Sequence, residues 1–419
     1  MNERITEALE RSNKWWKEEY EIEFKDREIY EHIKEFIEKR QILALVGLRR
    51  TGKTTIMQKI ILDSLKEFGK RNVVYFSFDD FREVRLLEVI KSYESIMNKK
   101  ISEGKYLFLF DEIQKVDHWE EQLKRFYDEN PRIKFIISGS ESLFLRKNIR
   151  ESLAGRMYEF NIRTLSFKEF LLFKGKKYDN LNLYKEELLK DLRSYLYSNG
   201  FPEIINESKE ISEKYLKENV IEKILYKDIP QIVSIRDPSL LEQIFNIILN
   251  DPGQLINFDD LARDLGISRQ TASIYISYLE KAFLIRKIYN YSRNTRKTQK
   301  GMKKYYPIVL PIGLIDKKES FGKVFETFII NQLQGEFFWR DTFKNEIDLV
   351  LQNPVIGMEI KSGEIKEKDL VPLQKFSEKF NPKYKIIISY NLESKINGVD
   401  IVPFYKYLLR GESRAKKGR

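Results

Sequence analysis

A glycine-rich segment near residue 50 contains the residues with the clearest chemistry. It fits the spacing G-x-x-x-x-G-K-[ST], in which backbone N–H groups and a helix N-terminus face phosphate oxygens. Lys53 would reach the β- and γ-phosphates of ATP, and the hydroxyl of Thr54 would bind Mg²⁺. The alternative is an ordinary glycine turn, which does not require a match at every fixed position. The predicted nucleotide-binding residues are Gly47, Leu48, Arg49, Arg50, Thr51, Gly52, Lys53, Thr54 and Thr55.

Two acidic residues follow the apolar run Tyr106–Phe110. Asp111 would hold the Mg²⁺ shell, and Glu112 would polarise the attacking water. A polar residue at the end of the next apolar run can contact the γ-phosphate or this water, with Ser140 as the first candidate and Ser138 as the second. Many proteins contain an apolar run that ends in two acids. Here the pattern indicates a nucleotide site because it follows the glycine-rich segment.

Arg156 follows at a position from which it could complete the ATP site of a neighbouring copy in a homo-oligomer. An arginine there would stabilise the charge of the transition state. The alternatives are a surface arginine and an internal ion pair, and the sequence leaves both interpretations open.

A second set of chemical residues lies near the carboxyl terminus. Glu359 and Lys361 are two positions apart on a predicted strand, so they share a face, and Asp348 can lie beside them on the neighbouring strand. Two carboxylates, a lysine and the Ile360 carbonyl would form a site for Mg²⁺ or Mn²⁺, which Glu326 could reach from a helix. The alternative is a solvated sheet face with an ion pair.

The region between these two sets predicts nucleic-acid binding. Apolar spacing from Asp259 to Leu279 indicates a helix-turn-helix, and the stretch Arg286–Lys304 has eight basic residues and no acid, as expected for the wing of a winged helix that binds phosphates. Winged helices also contact proteins, so a protein partner stays open. The predicted DNA contacts are Arg269, Gln270, Ser273, Arg293, Arg296, Lys297, Lys300, Lys303 and Lys304.

Alternating apolar runs and amphipathic segments must position these residues. Ile42–Val46 is a predicted strand and Ile56–Phe68 a predicted helix, with the glycine-rich segment between them. Further strands are predicted near residues 72–80, 106–112 and 134–140. This pattern is typical of a parallel sheet whose strands carry the ligand at their carboxyl ends.

Composition limits the classes of function. The chain has 419 residues, a net charge of +11, no cysteine and two histidines. Disulfides and thiolate metal sites are therefore excluded, and a polyanion partner is favoured, although lysine-rich genomes also produce basic proteins. Because no apolar run is long enough to span a bilayer and the first residues do not resemble a signal peptide, we expect a soluble cytoplasmic protein with no membrane partner.

Together these motifs resemble a prokaryotic, chiefly archaeal, family of AAA+/STAND-like P-loop ATPases with a winged helix and a C-terminal restriction-endonuclease-like, or PD-(D/E)XK, domain. The resemblance implies ATP binding, hydrolysis and a nuclease-like fold; Asp348, Glu359 and Lys361 favour an active metal site. The matching stretches are Gly47–Thr55, Phe108–Glu112, Ser138–Ser142, Leu153–Arg156, Leu165–Phe170, Gly200–Pro202, Lys227–Pro230 and Asn345–Gly363.

The predicted fold is α/β, with a P-loop parallel sheet, a helical lid, a winged helix and an α/β nuclease-like domain. Three functions follow: an ATPase that processes or repairs DNA with a metal-dependent nuclease, an ATP-driven DNA-binding switch with an inactive nuclease fold, and a defence or signalling ATPase with a protein target. The predicted domains are residues 1–165 (ATPase core with N-terminal helices), 166–235 (lid), 236–316 (winged helix), 317–408 (nuclease-like domain) and 409–419 (basic tail).

Overall fold

The structure is a computed structural model that describes residues 3–81, 83–139, 152–233, 235 and 237–410. The chain forms two compact units. The first comprises Met1–Thr164 and Tyr226–Ser234, and the second comprises Leu165–Leu225 and Ile235–Arg419. The chain therefore leaves the first unit, returns to it for a short segment and leaves it again. The predicted basic tail lies outside the described residues, apart from its first two positions.

A five-stranded parallel sheet, ordered β2-β3-β4-β1-β5, forms the centre of the first unit. The first four strands along the chain, β1 to β4, are the predicted ones, and their apolar runs are largely buried because parallel strands are covered on both faces. Strand β5 was not predicted, since it is a half-exposed edge strand of mixed polarity. The strands are β1 Ile42–Val46, β2 Val73–Ser77, β3 Tyr106–Asp111, β4 Ile133–Gly139 and β5 Met157–Asn161.

Five helices accompany this sheet, and each buries an apolar face. Helix α3, for example, buries Ile56, Met57 and Ile60. The returning segment adds a short helix, Ile229–Ile232. The five helices are α1 Glu3–Ser12, α2 Glu28–Ile37, α3 Lys53–Phe68, α4 Leu86–Met97 and α5 Trp119–Glu129.

The second unit contains one nine-stranded mixed sheet, ordered β13-β14-β12-β11-β10-β9-β7-β8-β6. Its strands come from both the predicted winged helix and the predicted nuclease-like domain. The strands are β6 Gln254–Leu255, β7 Ile285–Asn290, β8 Lys303–Pro307, β9 Phe337–Arg340, β10 Glu346–Leu351, β11 Ile356–Lys361, β12 Tyr384–Ser389, β13 Ser394–Ile396 and β14 Val399–Pro403.

The parallel pairing of β7 with β9 joins these two regions. Tyr289 pairs with Phe337 and Asn290 with Phe338, and the Tyr291 N–H donates to the Phe338 carbonyl at 2.7 Å. The predicted boundary at residues 316–317 therefore does not separate two sheets. The sequence shows each strand but not this long-range pairing, because the pairing is not encoded in either segment alone.

Eleven α-helices of the second unit lie in the described residues, including the short Ile312–Ile315. The predicted lid contributes the first three of them, and Phe167 packs edge-on against Phe328 and Phe404. The helix that carries Phe167 is therefore part of the aromatic core of the second unit. The other ten are α6 Phe167–Phe173, α7 Lys185–Ser198, α8 Lys209–Tyr215, α9 Pro238–Asn250, α10 Phe258–Asp264, α11 Arg269–Lys281, α12 Thr295–Lys300, α13 Phe321–Gln332, α14 Val371–Phe380 and α15 Phe404–Arg410.

Helices α10 and α11 span residues 258–281, close to the stretch from Asp259 to Leu279 for which the sequence predicts a helix-turn-helix. Gly266 makes the turn with a φ of +63°, and the Ser268 hydroxyl accepts the Thr271 N–H at 3.0 Å, which caps α11. Within the described part of the chain, no helix is both long enough and apolar enough to cross a membrane.

Candidate nucleotide site and carboxylate-lysine cluster

The glycine-rich segment connects the end of β1 to the start of α3, and two of its positions require glycine. Gly47 has a φ of +153°, and a Cβ there would collide with the Ile162 carbonyl oxygen. Gly52 precedes α3 with a φ of +91°. Because other residues rarely adopt such angles, these glycines form the tight cradle that phosphate binding requires.

Lys53 and Thr54 lie where the sequence predicts them. The Lys53 ammonium donates to the carbonyls of Gly47 at 2.9 Å and Leu48 at 2.8 Å, so it points into the loop. The Thr54 hydroxyl donates to Asp111 Oδ2 at 2.8 Å. The donor set suits a nucleoside triphosphate with Mg²⁺: an ammonium for phosphate, and a hydroxyl next to a carboxylate for the cation.

Asp111 is the centre of this site. Besides Thr54, its carboxylate accepts the Tyr75 hydroxyl at 2.9 Å and the Ser138 hydroxyl. Sequence reasoning placed Ser138 second and missed Tyr75, which lies in the neighbouring strand β2. Ser140, the first candidate for the phosphate or water contact, lies outside the described residues.

Glu112 is held in an unusual backbone conformation beside Asp111. Its φ is +53°, and Gln114 Nε2 donates to its Oε2 at 2.5 Å. Burial raises the pKa of Glu112, with Lys53 opposing the shift and the charge of Asp111 adding to it. A fixed carboxylate with a raised pKa suits a proton acceptor.

Contacts made by Arg27 and Arg49 support the loop from segments to which no motif was assigned. Arg27, just before α2, donates from Nη1 to the Thr51 carbonyl at 2.9 Å and from Nη2 to the Arg163 carbonyl at 2.7 Å. Arg49 forms a 2.8 Å ion pair with Asp228 on the returning segment. The family resemblance includes Asp228, but no motif showed that it reaches the loop.

Arg156 forms an ion pair within its own unit. Its Nε lies 2.9 Å from Asp128 Oδ1 and its Nη2 3.1 Å from Asp128 Oδ2. This is the internal pair that the sequence left open as an alternative. The role of Arg156 in a neighbouring copy stays a prediction.

The second predicted set, Asp348, Glu359 and Lys361, meets on β10 and β11, and we call it the carboxylate-lysine cluster. Asp348 Oδ2 accepts the Ile360 N–H at 2.8 Å, and the Lys361 ammonium lies 2.8 Å from Glu359 Oε1. The other oxygen of this carboxylate, Oε2, is buried and has no hydrogen-bond partner among the described residues. A buried oxygen of this kind is costly unless a cation or proton satisfies it.

Electrostatics within this cluster favour an added positive charge. Burial and the nearby charge of Glu359 raise the pKa of Asp348 well above its ordinary range. Burial also raises the pKa of Glu359 to about 7, although Lys361 opposes the shift. In the ranges that the structure describes, no group of three or more His, Cys, Asp or Glu is arranged for a metal ion, and the predicted ligands Asp348, Glu359 and the Ile360 carbonyl stay a prediction.

Glu326 and Lys304 extend the cluster. Glu326 Oε1 accepts the Tyr306 hydroxyl at 2.6 Å and lies 3.7 Å from Lys304 Nζ. Lys304 is buried, and its ammonium lies 2.5 Å from Glu346 Oε1. The prediction that Lys304 contacts DNA is therefore wrong. Successive residues on a strand point to opposite faces, and Lys304 points inward.

The remaining predicted DNA contacts lie mainly on exposed positions. The hairpin loop between β7 and β8 contains α12, which Asn294 caps by accepting the Lys297 N–H at 3.1 Å. Lys303 donates to the Gln299 and Gly301 carbonyls near the end of α12. We call residues 293–300 the basic helix region. Its exposed cations are Arg293, Arg296, Lys297 and Lys300.

The start of α11 is also exposed. Arg269, Gln270 and Ser273 face solvent, and Arg269 lies 3.4 Å from Asp259 in an ion pair between exposed side chains. Exposed pairs of this kind contribute little to stability, so they leave the arginine available to a stronger anion.

Comparison with known families matches three parts of the chain. Residues 39–171 match the model of an AAA domain. Residues 189–308 and 321–407 match two domains of unknown function, DUF8612 and DUF4143. The fold agrees with this match: residues 39–171, which contain the five-stranded parallel sheet and the glycine-rich segment of a P-loop fold, are similar to an AAA domain, and further α/β structure follows.

Similar proteins occur in archaea and bacteria. An uncharacterized protein of Methanocaldococcus jannaschii is 29% identical over 409 residues, which cover 88% of each chain. Another, from Haemophilus influenzae, is 26% identical and covers 88% of this chain and 94% of its own.

Solved structures show only a distant likeness. The Thermotoga maritima RuvB Holliday junction branch migration motor is 16% identical with a TM-score of 0.28, covering 68% of this chain and 87% of that chain. The Bacillus subtilis DNA clamp loader delta protein is 14% identical with a TM-score of 0.28, covering 73% and 99%.

Proposed function

We propose that this chain hydrolyses ATP and uses the hydrolysis to act on DNA. The observation that supports hydrolysis best is the 2.8 Å hydrogen bond from Thr54 to Asp111, beside the Lys53 ammonium. Lys53 binds the β- and γ-phosphates, while Thr54 and Asp111 hold Mg²⁺. When bound, this cation neutralises phosphate charge.

Glu112 accepts the proton of the attacking water in this proposal. The backbone at Glu112 and the contact with Gln114 fix the carboxylate, while burial makes it more basic. Arg156 contributes in trans if copies assemble into a homo-oligomer, which would require its exposed pair with Asp128 to exchange.

The first experiment measures ATP binding and hydrolysis by the full chain with Mg²⁺. Lys53→Ala should weaken binding and abolish turnover, because it removes the phosphate-binding ammonium. Lys59→Ala, one and a half turns along the same helix, is the matched control, since Lys59 pairs with Asp63 on the helix surface. Equal hydrolysis by Lys53→Ala and the wild type would contradict the assignment of Lys53 as the phosphate-binding residue.

We propose DNA as the partner of the second unit, with residues 236–316 acting as a winged helix. Support comes from the exposed cations of the basic helix region and from the absence of acids within it. Phosphates would contact Arg296, Lys297 and Lys300, while α11 would face the bases. Replacing these three residues by alanine should weaken DNA binding and reduce its salt dependence.

The carboxylate-lysine cluster would supply metal-dependent phosphodiester cleavage. Its support is the buried Oε2 of Glu359, which has no hydrogen-bond partner among the described residues, on a carboxylate whose other oxygen lies 2.8 Å from the Lys361 ammonium. Burial lowers the pKa of Lys361, but Glu359 and Asp348 more than compensate and raise it. Lys361 is therefore a cation that stabilises developing negative charge rather than a base.

A cleavage assay separates this proposal from its rivals. Nicking of duplex or branched DNA with Mg²⁺ or Mn²⁺ should disappear in Glu359→Ala and in Lys361→Ala. DNA binding that responds to ATP without cleavage under either metal would favour the switch, in which the nuclease fold is inactive. ATPase stimulation by a protein but not by DNA would favour the defence or signalling function.

A further inference from the structure

Phe343 is the most exposed of the large apolar side chains that the structure describes. It lies at the tip of the hairpin that joins β9 to β10, and 86% of it is accessible to solvent. Exposing a large aromatic ring is unfavourable in water, and a protruding aromatic side chain is a common anchor for a partner.

The tip is built to hold this ring outward. Asp341 Oδ1 accepts the N–H groups of Phe343 at 2.8 Å and Asn345 at 2.9 Å. The Asn345 side chain donates to Asp341 Oδ2 at 2.8 Å, and the backbones of these two residues also pair. These bonds fix a compact turn, so presenting the ring to a partner requires little ordering of the backbone.

The strand pairing places this tip beside the basic helix region. Because β7 and β9 are parallel neighbours, their carboxyl ends meet at the same edge of the sheet. The two ends are also joined reciprocally: Asn290 Nδ2 donates to the Arg340 carbonyl at 2.9 Å, and Asn290 Oδ1 accepts the Arg340 N–H at 3.0 Å. The basic helix region follows β7, and the tip follows β9.

The same edge is positively charged. Arg293 is exposed and donates to the Phe380 carbonyl at the end of α14. Lys379 lies over the Trp339 ring on β9 and interacts with Asp341. Lys344 follows Phe343 directly and is exposed. An exposed aromatic ring on an edge that also carries cations matches the chemistry of a nucleotide, in which a flat base is attached to a phosphate.

We propose that Phe343 stacks on an unpaired base of DNA whose backbone is bound by the basic helix region. The inference rests on the proposed DNA binding and adds a preference for single strands at a junction with duplex. A paired base offers its face only to its neighbours in the stack, whereas an unpaired base exposes it. Strand β10 leads from the tip to Asp348. The junction between single strand and duplex would therefore lie on the same side of the second unit as the carboxylate-lysine cluster.

The test uses the full chain and a forked duplex with 2-aminopurine at the first unpaired position. The wild type should bind the fork more tightly than a blunt duplex and change the fluorescence of the probe. Phe343→Ala should weaken fork binding by about tenfold, within the range measured for one stacked base, and leave duplex binding unchanged. Phe343→Trp should retain the preference, as should Leu183→Ala, in which another exposed apolar side chain, 71% accessible, is removed.

Equal fork binding by Phe343→Ala and the wild type, or an unchanged probe signal, would overturn the stacking role. The proposed DNA binding is tested separately by the triple alanine variant at Arg296, Lys297 and Lys300. The triple variant could lose fork and duplex binding alike while Phe343→Ala binds both normally. That result would support DNA binding by the basic helix region and contradict the stacking role of Phe343. Absence of DNA binding by the wild type would reject both.

Discussion

Lys304 Nζ lies 2.5 Å from Glu346 Oε1, inside the second unit. The lysine comes from β8 and the glutamate from β10, and the two strands are not neighbours in the sheet. The lysine is also 3.7 Å from Glu326. One buried ammonium therefore links the strand that follows the basic helix region to the strand that carries Asp348.

Replacing Lys304 by methionine should destabilise the second unit. The change leaves the carboxylates of Glu346 and Glu326 without this cation, although Arg340 still lies 3.1 Å from Glu346. Loss of one partner of a buried pair is costly, and we expect the free energy of unfolding to fall by about 2 kcal/mol. Chemical denaturation measures it. Lys300→Met, on the exposed helix α12, is the control, and equal stability of the two variants would contradict the buried role.

Gly47→Ala should prevent both correct folding of the loop and nucleotide binding. The added Cβ would meet the Ile162 carbonyl oxygen, which is backbone and cannot rotate away. Gly69→Ala is a matched control, because Gly69 also has a positive φ, +84°, but has open space around it. This control variant should lower the free energy of unfolding by only about 1 kcal/mol. Thermal unfolding and ATP binding are the measurements. Normal ATP binding by Gly47→Ala would contradict the tight cradle.

Glu359 should make stability fall as pH rises. Its pKa is raised from 4.5 to about 7 in the folded chain, so between these values the folded state holds a proton that the unfolded state has released. The stability that this proton provides is present below about pH 4.5 and lost above about pH 7. Glu359→Gln lacks this titration.

The measurement for Glu359 is the melting temperature of the wild type and of Glu359→Gln in chelator, from pH 5 to pH 8. The melting temperature of the variant relative to the wild type should increase across this window. Glu367→Gln, at an exposed position nearby, should follow the wild type. A difference that is constant with pH would show that Glu359 keeps an ordinary pKa.

Local sequence patterns predicted the strand, loop and helix around the glycine-rich segment well. The glycine-rich segment, the strand before it and the helix after it are contiguous, so the position of Lys53 and Thr54 depends on few long-range contacts. Asp111 also lies at the predicted strand end. Tyr75 was missed because a tyrosine inside an apolar strand does not show which residue its hydroxyl will reach.

Long-range pairing explains the predictions that failed. The basic run from Arg286 to Lys304 looks uniform in sequence, yet Lys304 is buried and Arg293 is exposed. The difference arises because β8 lies beside β7, which pairs with β9, and this brings acidic residues of distant segments to one side of β8. A charge pattern alone cannot identify the acids that a lysine will meet.

Hydrolysis by Glu112→Gln tests the central claim most directly. With saturating ATP and Mg²⁺, this variant should bind ATP as the wild type does and hydrolyse it at least about 100-fold more slowly, the scale expected for loss of a general base. Glu121→Gln, at an exposed position on α5, should keep the wild-type rate. Hydrolysis by Glu112→Gln at the wild-type rate would contradict the assignment of Glu112 as the proton acceptor.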